Sequence, residues 1–379
     1  GVFLQAGALT IRERTILNNR SYQRGGGVGA RAGTLLMVDS LVEGNTSTKE
    51  GGGVLVNGAS ATLRRNVIRD NSPMGLLVAG GATVADDNTV EDNQSTGNGG
   101  GIGVNGYYPT SLSASRNLIR NNSAVSGGGV GISAGTTTLY DNDIVGNTAS
   151  SNGGGLAAWA NGSDITLIKN RIRGNSAGSL GGGGLYVGDG DLTMERNDIQ
   201  QNSAPGTSGG GLVIAGGRVA GINDVIARNN SLSEGVYLSG GTLTGRHWTL
   251  VSNGSYALLA NGGNATLTNT IVATHTVAGF WGTGVVANTT LFYHAGSRCG
   301  NGASCPTYIT GWPAFVDDAQ GDYHIDSQSV AIDSGVDAGV DLDMDGQPRL
   351  GICDLGADEY WAPGSFRRTY LPLIMSGVQ

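Results

Sequence analysis

Several groups of side chains in this 379-residue chain are spaced so that they could do chemistry. Asp341-x-Asp343-x-Asp345-Gly346 sets carboxylates at alternate positions and a glycine at the sixth place, which is how a Ca²⁺ loop begins. Ile352 stands where such loops end in a bidentate Glu, so Asp354 or Asp333 would have to substitute. The competing reading is a polar turn in which these Asp residues bond the local backbone. Asp86-Asp87 and Asp141-Asn142-Asp143 offer a cation site or an acid pair. Of the four histidines, His247, His275, His294 and His324, none has a second His or a Cys at ligand spacing, and only His247 is flanked by a cation and an aromatic, Arg246 and Trp248. Tyr107, Tyr108 and Trp159 are candidates for stacking on sugar rings, the first two in a lengthened loop. Cys299 and Cys305 enclose a short Gly- and Asn-containing loop that a disulfide can close, the alternative being free thiols, and Cys353 is left over.

What must position these groups is a repeat. Asn19, Asn45, Asn71, Asn93, Asn122, Asn147, Asn175, Asn202, Asn229 and Asn253 recur about every 26 residues, and an aliphatic residue, Ile16 through Leu250, stands three places before each. A second apolar column lies eight places before the Asn, with Ile11, Met37, Leu63, Ala85, Ala114, Leu139, Leu167 and Met194. Between them runs a charged column, Glu13, Asp39, Arg65, Asp87, Arg116, Asp141, Lys169 and Arg196, which is expected to face water as a ladder of ion pairs. Gly-Gly-Gly blocks follow most copies; they would be costly within helices but suit tight corners. The fold class expected is all-β: a single parallel β-helix solenoid, right-handed, with a C-terminal cap.

The boundaries expected are regular coils over 1–253, less regular terminal coils over 254–316, a cap over 317–360 and a tail over 361–379. Alignment of Gly1-Val2-Phe3-Leu4 with Gly53-Val54-Leu55-Val56 starts the chain in mid-repeat. An open first coil invites either further coils upstream or another chain, so self-association end to end is expected to involve Gly1, Val2, Phe3 and Leu4. Tyr370, Leu371 and Leu373 of the tail alternate enough for a short strand that can reach a neighbour.

The outward position after each Gly-rich corner is occupied by Phe3, Gly29, Leu55, Leu77, Gly103, Gly131, Ala157, Tyr186, Val213 and Tyr237. None is a carboxylate, Lys, Arg or His, whereas glycoside hydrolysis needs two carboxylates facing one bond. No catalytic residue is therefore assigned. A net charge of −8 at low charge density argues against nucleic acid, and no stretch approaches the apolar length of a transmembrane helix.

Ala331-Ile332-Asp333-Ser334-Gly335, Asp343-Met344-Asp345-Gly346-Gln347-Pro348-Arg349 and Asp354-Leu355-Gly356-Ala357-Asp358-Glu359-Tyr360 together resemble the choice-of-anchor Q domain. That domain ends secreted bacterial β-helix proteins with diverse surface anchors. The Asn and Gly-Gly-Gly repeats are similar to those of bacterial surface proteins and polymorphic outer-membrane proteins. The resemblance implies export and surface display and carries over no catalytic residues. The expectation is a non-catalytic extracellular structural or adhesive protein that can stack into a filament. The alternative is a carbohydrate-active or polysaccharide-binding protein meeting a cell-surface glycan through the loops around Tyr107 or His247.

Overall fold

A computed structural model describes residues 1–106, 109–159 and 162–362. The chain winds into a solenoid of about 11 turns with about 26 residues per turn. Strands of each coil pair with the coils above and below, not with each other. A 13-stranded parallel sheet runs from Val2–Leu4 to Ser297–Gly300, and a 23-stranded sheet carries the remaining two faces of the coil. Register is kept from coil to coil: Val54 pairs with Val28 on one side and Leu76 on the other, and Leu63 with Met37 and Ala85. Both apolar columns point inward into one continuous core.

Two corners of each coil share one design. The charged column forms the first, with left-handed backbone at Glu13, Asp39, Arg65, Asp87, Arg116, Asp141, Lys169 and Arg196, φ from 50° to 57°. The residue before each repeat Asn forms the second, for example Asp70, Asp92 and Asn121 at φ 55°. A non-glycine residue in this region costs about 1 kcal/mol or more, and what offsets it here is the side chain that follows. That side chain turns inward and bonds to its copies. Asn147 accepts from the backbone N–H and the Nδ2 of Asn122, at 2.9 and 3.0 Å, and donates Nδ2 to Ile119 O and Asn175 Oδ1 at 2.9 and 3.0 Å. Every polar atom of its amide is used while the residue is fully buried.

A second ladder, absent from the sequence reading, follows the charged column through Asn66, Asn88, Asn117, Asn142, Asn170 and Asn197. It ends on Asp224, whose Oδ1 accepts from Asn197 N and Nδ2, both at 2.9 Å. The next coil carries Trp248 in this place, so no amide continues the ladder, and the carboxyl of Asp224 is fully buried beside the indole. Burial pushes this carboxyl up to about 7. The first ladder ends on His275, whose Nε2 takes the N–H of Asn253 at 3.3 Å.

Where the period loosens after Asn253, adjacent strands fuse across the corner into Asn264–Ala273 and Val285–Tyr293, yet Asn269 and Thr289 keep the left-handed φ. The coils continue to Tyr308–Thr310. Residues 317–360, expected as a cap, do their covering from the side. Tyr323, Ile325, Ala331, Leu355 and Ala357 pack on Val225, Ala227, Val251, Ile271, Ala273 and Leu291, which face outward from the coils. That apolar flank is what the block has to hide.

Replacing Asn147 by Ala leaves a buried N–H, a carbonyl and two amide groups on neighbouring coils unsatisfied. The expected loss is about 4 kcal/mol, read as a drop in denaturant midpoint; a loss under about 1 kcal/mol would rule out the ladder as the corner's support. Asp224 gives a pH signature. Its folded-state acid lies above the ordinary carboxylate value, so the folded chain holds an extra proton between about pH 4 and 7. Stability from this site is therefore greatest below pH 4 and falls as pH rises towards 7. Asp224→Asn should continue the ladder, stabilise at pH 8 by on the order of 3 kcal/mol, and change little at pH 4, as measured by thermal melts at both.

Candidate functional site

The 13-stranded sheet presents its outer face along the whole solenoid. Strand register aligns Phe3, Gly29, Leu55, Leu77, Gly103, Gly131, Ala157, Tyr186, Val213 and Tyr237 in one column. The column runs on through Leu259 and Trp281 to Gly300. It carries no carboxylate, Lys, Arg or His. Much of it is buried although it points outward, because its side chains fold over one another. Leu55, Met74, Leu77 and Ala79 make one apolar cluster, and Ala157, Tyr186 and Val213 another, with Trp159, Ala215 and Tyr237 against its edge. Trp159 lies 4.8 Å from Tyr186 between ring centres, and Tyr256 lies 5.5 Å from Trp281. Gly103 sits under Met74: a Cβ there would come 2.8 Å from the sulfur.

Over Gly103 and Gly131 the face is hollow, with Lys49, Glu50 and Asn98 on one side and Asn105 and Ser133 on the other. A second hollow, over Phe3 and Leu55, shares Lys49 and adds Gln23, Arg24 and Arg31. The carboxylate here, Glu50, is paired with Arg24 at 3.3 Å. Among the described residues these hollows hold no second carboxylate across from it, so their chemistry is that of contact and hydrogen bonding, not of an acid and base pair.

The other residues singled out in the sequence are spread over the molecule. Arg65 forks onto Asp39 at 2.7 and 2.8 Å, and Arg116 meets Asp87 at 3.0 Å, as the ladder of charges predicts. Higher up, the pairing shifts two residues along, to Arg171 with Asp143 at 2.5 Å. Asp86 accepts from Ser115 and Arg116, and Asn142 is a rung of the buried ladder, so both acidic clusters are built into inter-coil bonding. His247, which the carbohydrate-binding alternative placed near a ligand-meeting loop, is fully buried with Nε2 3.0 Å from Asn269 Nδ2, and burial holds its pKa down at about 3. The column position that put Arg65 in water puts His247 under the C-terminal block.

Asp341, Asp343 and Asp345 do not converge as a Ca²⁺ loop requires. Asp343 Oδ1 takes the N–H groups of Asp345 and Gln347 at 3.0 and 2.7 Å, closing a polar turn, while Asp345 reaches outward to His324. Among the described residues the group with metal-ligand spacing is His324, Asp345 and Asp358 instead. Cys299 and Cys305 form the disulfide, and Cys353 is a half-buried free thiol. Val2–Leu4 pairs with Val28–Ala30. Tyr107, Tyr108, Tyr370, Leu371 and Leu373 lie outside the described residues.

The C-terminal block is organised by Arg349, which is almost wholly buried. Its Nη1 donates to Asp358 O and Glu359 Oε2 at 3.2 and 3.1 Å, and its Nη2 to Gly356 O, Ala357 O and Asn223 Oδ1, each at 2.9 Å. One guanidinium thus shapes the 354–359 loop and ties it to the coils. Further ties run from Arg246 to Ala338 O, from Asn269 to Val336 O, and from Ala357 N to Thr249 Oγ1. Burial lifts Asp354 to about 6 and Asp358 to about 7, whereas hydrogen bonding to Asp345 raises His324 to about 10.

The profile described as the right handed beta helix region matches residues 1–172 and 111–245. No curated protein sequence matches the chain. Among solved structures, the catalytic domain of a GH87 alpha-1,3-glucanase in complex with tetrasaccharides is similar over 82% of this chain at 12% identity, with a TM-score of 0.25. The chain spans 63% of the length of that glucanase chain, and a likeness of this degree carries over no residue.

Arg349→Lys keeps the charge but loses the planar fork that reaches several carbonyls at once. It should cost about 3 kcal/mol and loosen the 317–360 block first. Limited proteolysis is expected to cut within that block while the circular dichroism of the coils is unchanged; simultaneous loss of both would show that the block is not a separate layer.

Proposed function

This chain belongs to the right-handed β-helix family, and from that premise we propose that it is a non-catalytic extracellular structural or adhesive rod whose ligand-facing surface is the outer face of the 13-stranded sheet. The observation that carries the reading is the outward column from Phe3 to Trp281, which is uninterrupted by a carboxylate, Lys, Arg or His over the length of the solenoid. The buried acids with raised pKa values lie elsewhere, in the ladder end at Asp224 and in the C-terminal block, where each holds backbone or amide groups. A stiff scaffold is the natural use of a coil whose hydrogen bonds all run along its axis.

The disulfide suits an oxidising compartment, and the choice-of-anchor Q resemblance supports surface display. The ligand class we assign is a neutral glycan. The paired rings of Trp159 with Tyr186 and of Tyr256 with Trp281 offer apolar platforms on this face, and Asn98, Asn105 and Ser133 offer uncharged hydrogen-bonding groups in the hollow over Gly103 and Gly131. End-to-end self-association of the rods is the assembled form of the same reading; uniform unpaired rods by electron microscopy at rising concentration would remove it.

A glycan array run beside a polysaccharide-cleavage screen tests the function. The expected outcome is binding without release of reducing ends, weakened by about tenfold in Trp159→Ala, the loss of one stacked ring. Turnover of any polysaccharide that scales with protein concentration would overturn the non-catalytic reading.

A further inference from the structure

The second apparent centre of chemistry lies away from the 13-stranded face, in the C-terminal block. His324, Asp345 and Asp358 bring an imidazole nitrogen and two carboxylate oxygens within 4.8 Å of one another. They come from three separate segments: the strand Asp322–Ile325, the polar turn closed by Asp343, and the loop shaped by Arg349. Asp322 Oδ1 sits 2.5 Å from His324 Nδ1. A carboxylate on one ring nitrogen fixes the ring's orientation, and a cation at the other nitrogen takes the place of the proton held there. That other nitrogen, Nε2, faces Asp345 Oδ2 at 2.8 Å. Asp358 uses Oδ2 for the N–H of Ile325 at 2.8 Å, which leaves Oδ1 for a ligand.

A separate observation points the same way. Asp343 is fully buried, and its Oδ2 has no hydrogen-bond partner. Its charge acts on both Asp345 and Asp358. The cations nearby are Lys169, which acts on Asp345 from the coils, Arg196, which lies beside Gly346 and is paired with Glu195, and Arg349, whose donors are taken up by carbonyls, Asn223 and Glu359. Three carboxylates, Asp322, Asp345 and Asp358, therefore surround one imidazole, beside a surface hollow lined by His324, Asp345, Asp358, Gln347 and Trp361.

We propose that His324, Asp345 and Asp358 bind a first-row divalent cation of the zinc class, with Asp322 orienting the histidine. Mixed nitrogen and carboxylate donors suit Zn²⁺ or Mn²⁺, whereas Ca²⁺ and Mg²⁺ take oxygen donors. A tetrahedral ion about 2.1 Å from each ligand wants donors about 3.4 Å apart, a spacing that rotation of the exposed Asp345 can supply. The ion ties together three segments that are otherwise joined by the Ile325 N–H on Asp358 and the Met344 N–H on Ala357 O. Its role is that of a clasp on the block that covers the coil flank.

The test is calorimetric titration of Zn²⁺ into the full chain, prepared without a histidine tag and stripped with chelator. Co²⁺ absorption in the visible region reports coordination number. One equivalent binding at ~1 μM or tighter is expected. His324→Gln and Asp345→Asn should each weaken it at least tenfold, and Asp322→Asn by about 10- to 100-fold through the second nitrogen. His294→Gln, on an exposed histidine elsewhere, should leave it unchanged, and millimolar Ca²⁺ should not compete. Asp345 is exposed, so its variant keeps the test independent of folding, with circular dichroism as the check. No binding by the unaltered chain, equal binding by Asp345→Asn and His324→Gln, or displacement by Ca²⁺ would each overturn the proposal.

Discussion

No coil of this chain can satisfy its own backbone, and that constraint governs the rest. Three-residue strands such as Val54–Val56 find their hydrogen bonds on the neighbouring coils, so identical backbone geometry must recur at each level. Corners are where recurrence is hardest to hold, because the backbone there turns through the left-handed region. The Asn ladders hold it. An amide has two donors and an acceptor with two lone pairs, so it can grip the backbone of the preceding coil and both adjacent copies at once, as Asn147 does. No other short side chain offers that combination. Where the ladder substitutes Asp224, the carboxyl is fully buried beside Trp248, and the site becomes sensitive to pH.

Once the corners are fixed, the three faces acquire different uses. The 13-stranded face keeps its outward column free of charge and partly covered by its own side chains, which leaves shallow apolar and amide-lined hollows. The flank of the last coils has the opposite problem. Val225, Val251, Ile271 and Leu291 point out of the solenoid, and the C-terminal block exists to cover them. Its charges are consequently internal to the block and its contact with the coils. Arg349, Asp354, Asp358 and Glu359 sit at or near an interface between layers, and burial shifts Asp354 and Asp358 from their ordinary values.

Much of this was legible beforehand. Ile16, Val42, Ile68 and their copies were readable as an inward column, because a period-locked apolar position has only one place to go. Phe3 to Tyr237 were readable as an outward column for the same reason. The second ladder was visible as an Asn after each of Arg65, Asp87, Arg116, Asp141, Lys169 and Arg196, but Asn beside a charge reads equally well as an exposed turn. Asp341, Asp343 and Asp345 looked like one site because they alternate in sequence. The turn closed by Asp343 points them in different directions.

What the sequence determined by itself is everything that repeats: the coil, its register, its core and the uncharged face, each specified about ten times over by the same local pattern. The tertiary structure decided what occurs once. That Asn223 and Thr249 receive the C-terminal block, that His247 lies beneath it, and that His324 meets Asp345 and Asp358 depends on packing between segments distant in the chain. A single non-repeating contact leaves no period to read, so only the folded arrangement of the apolar flank and its cover could place those residues together.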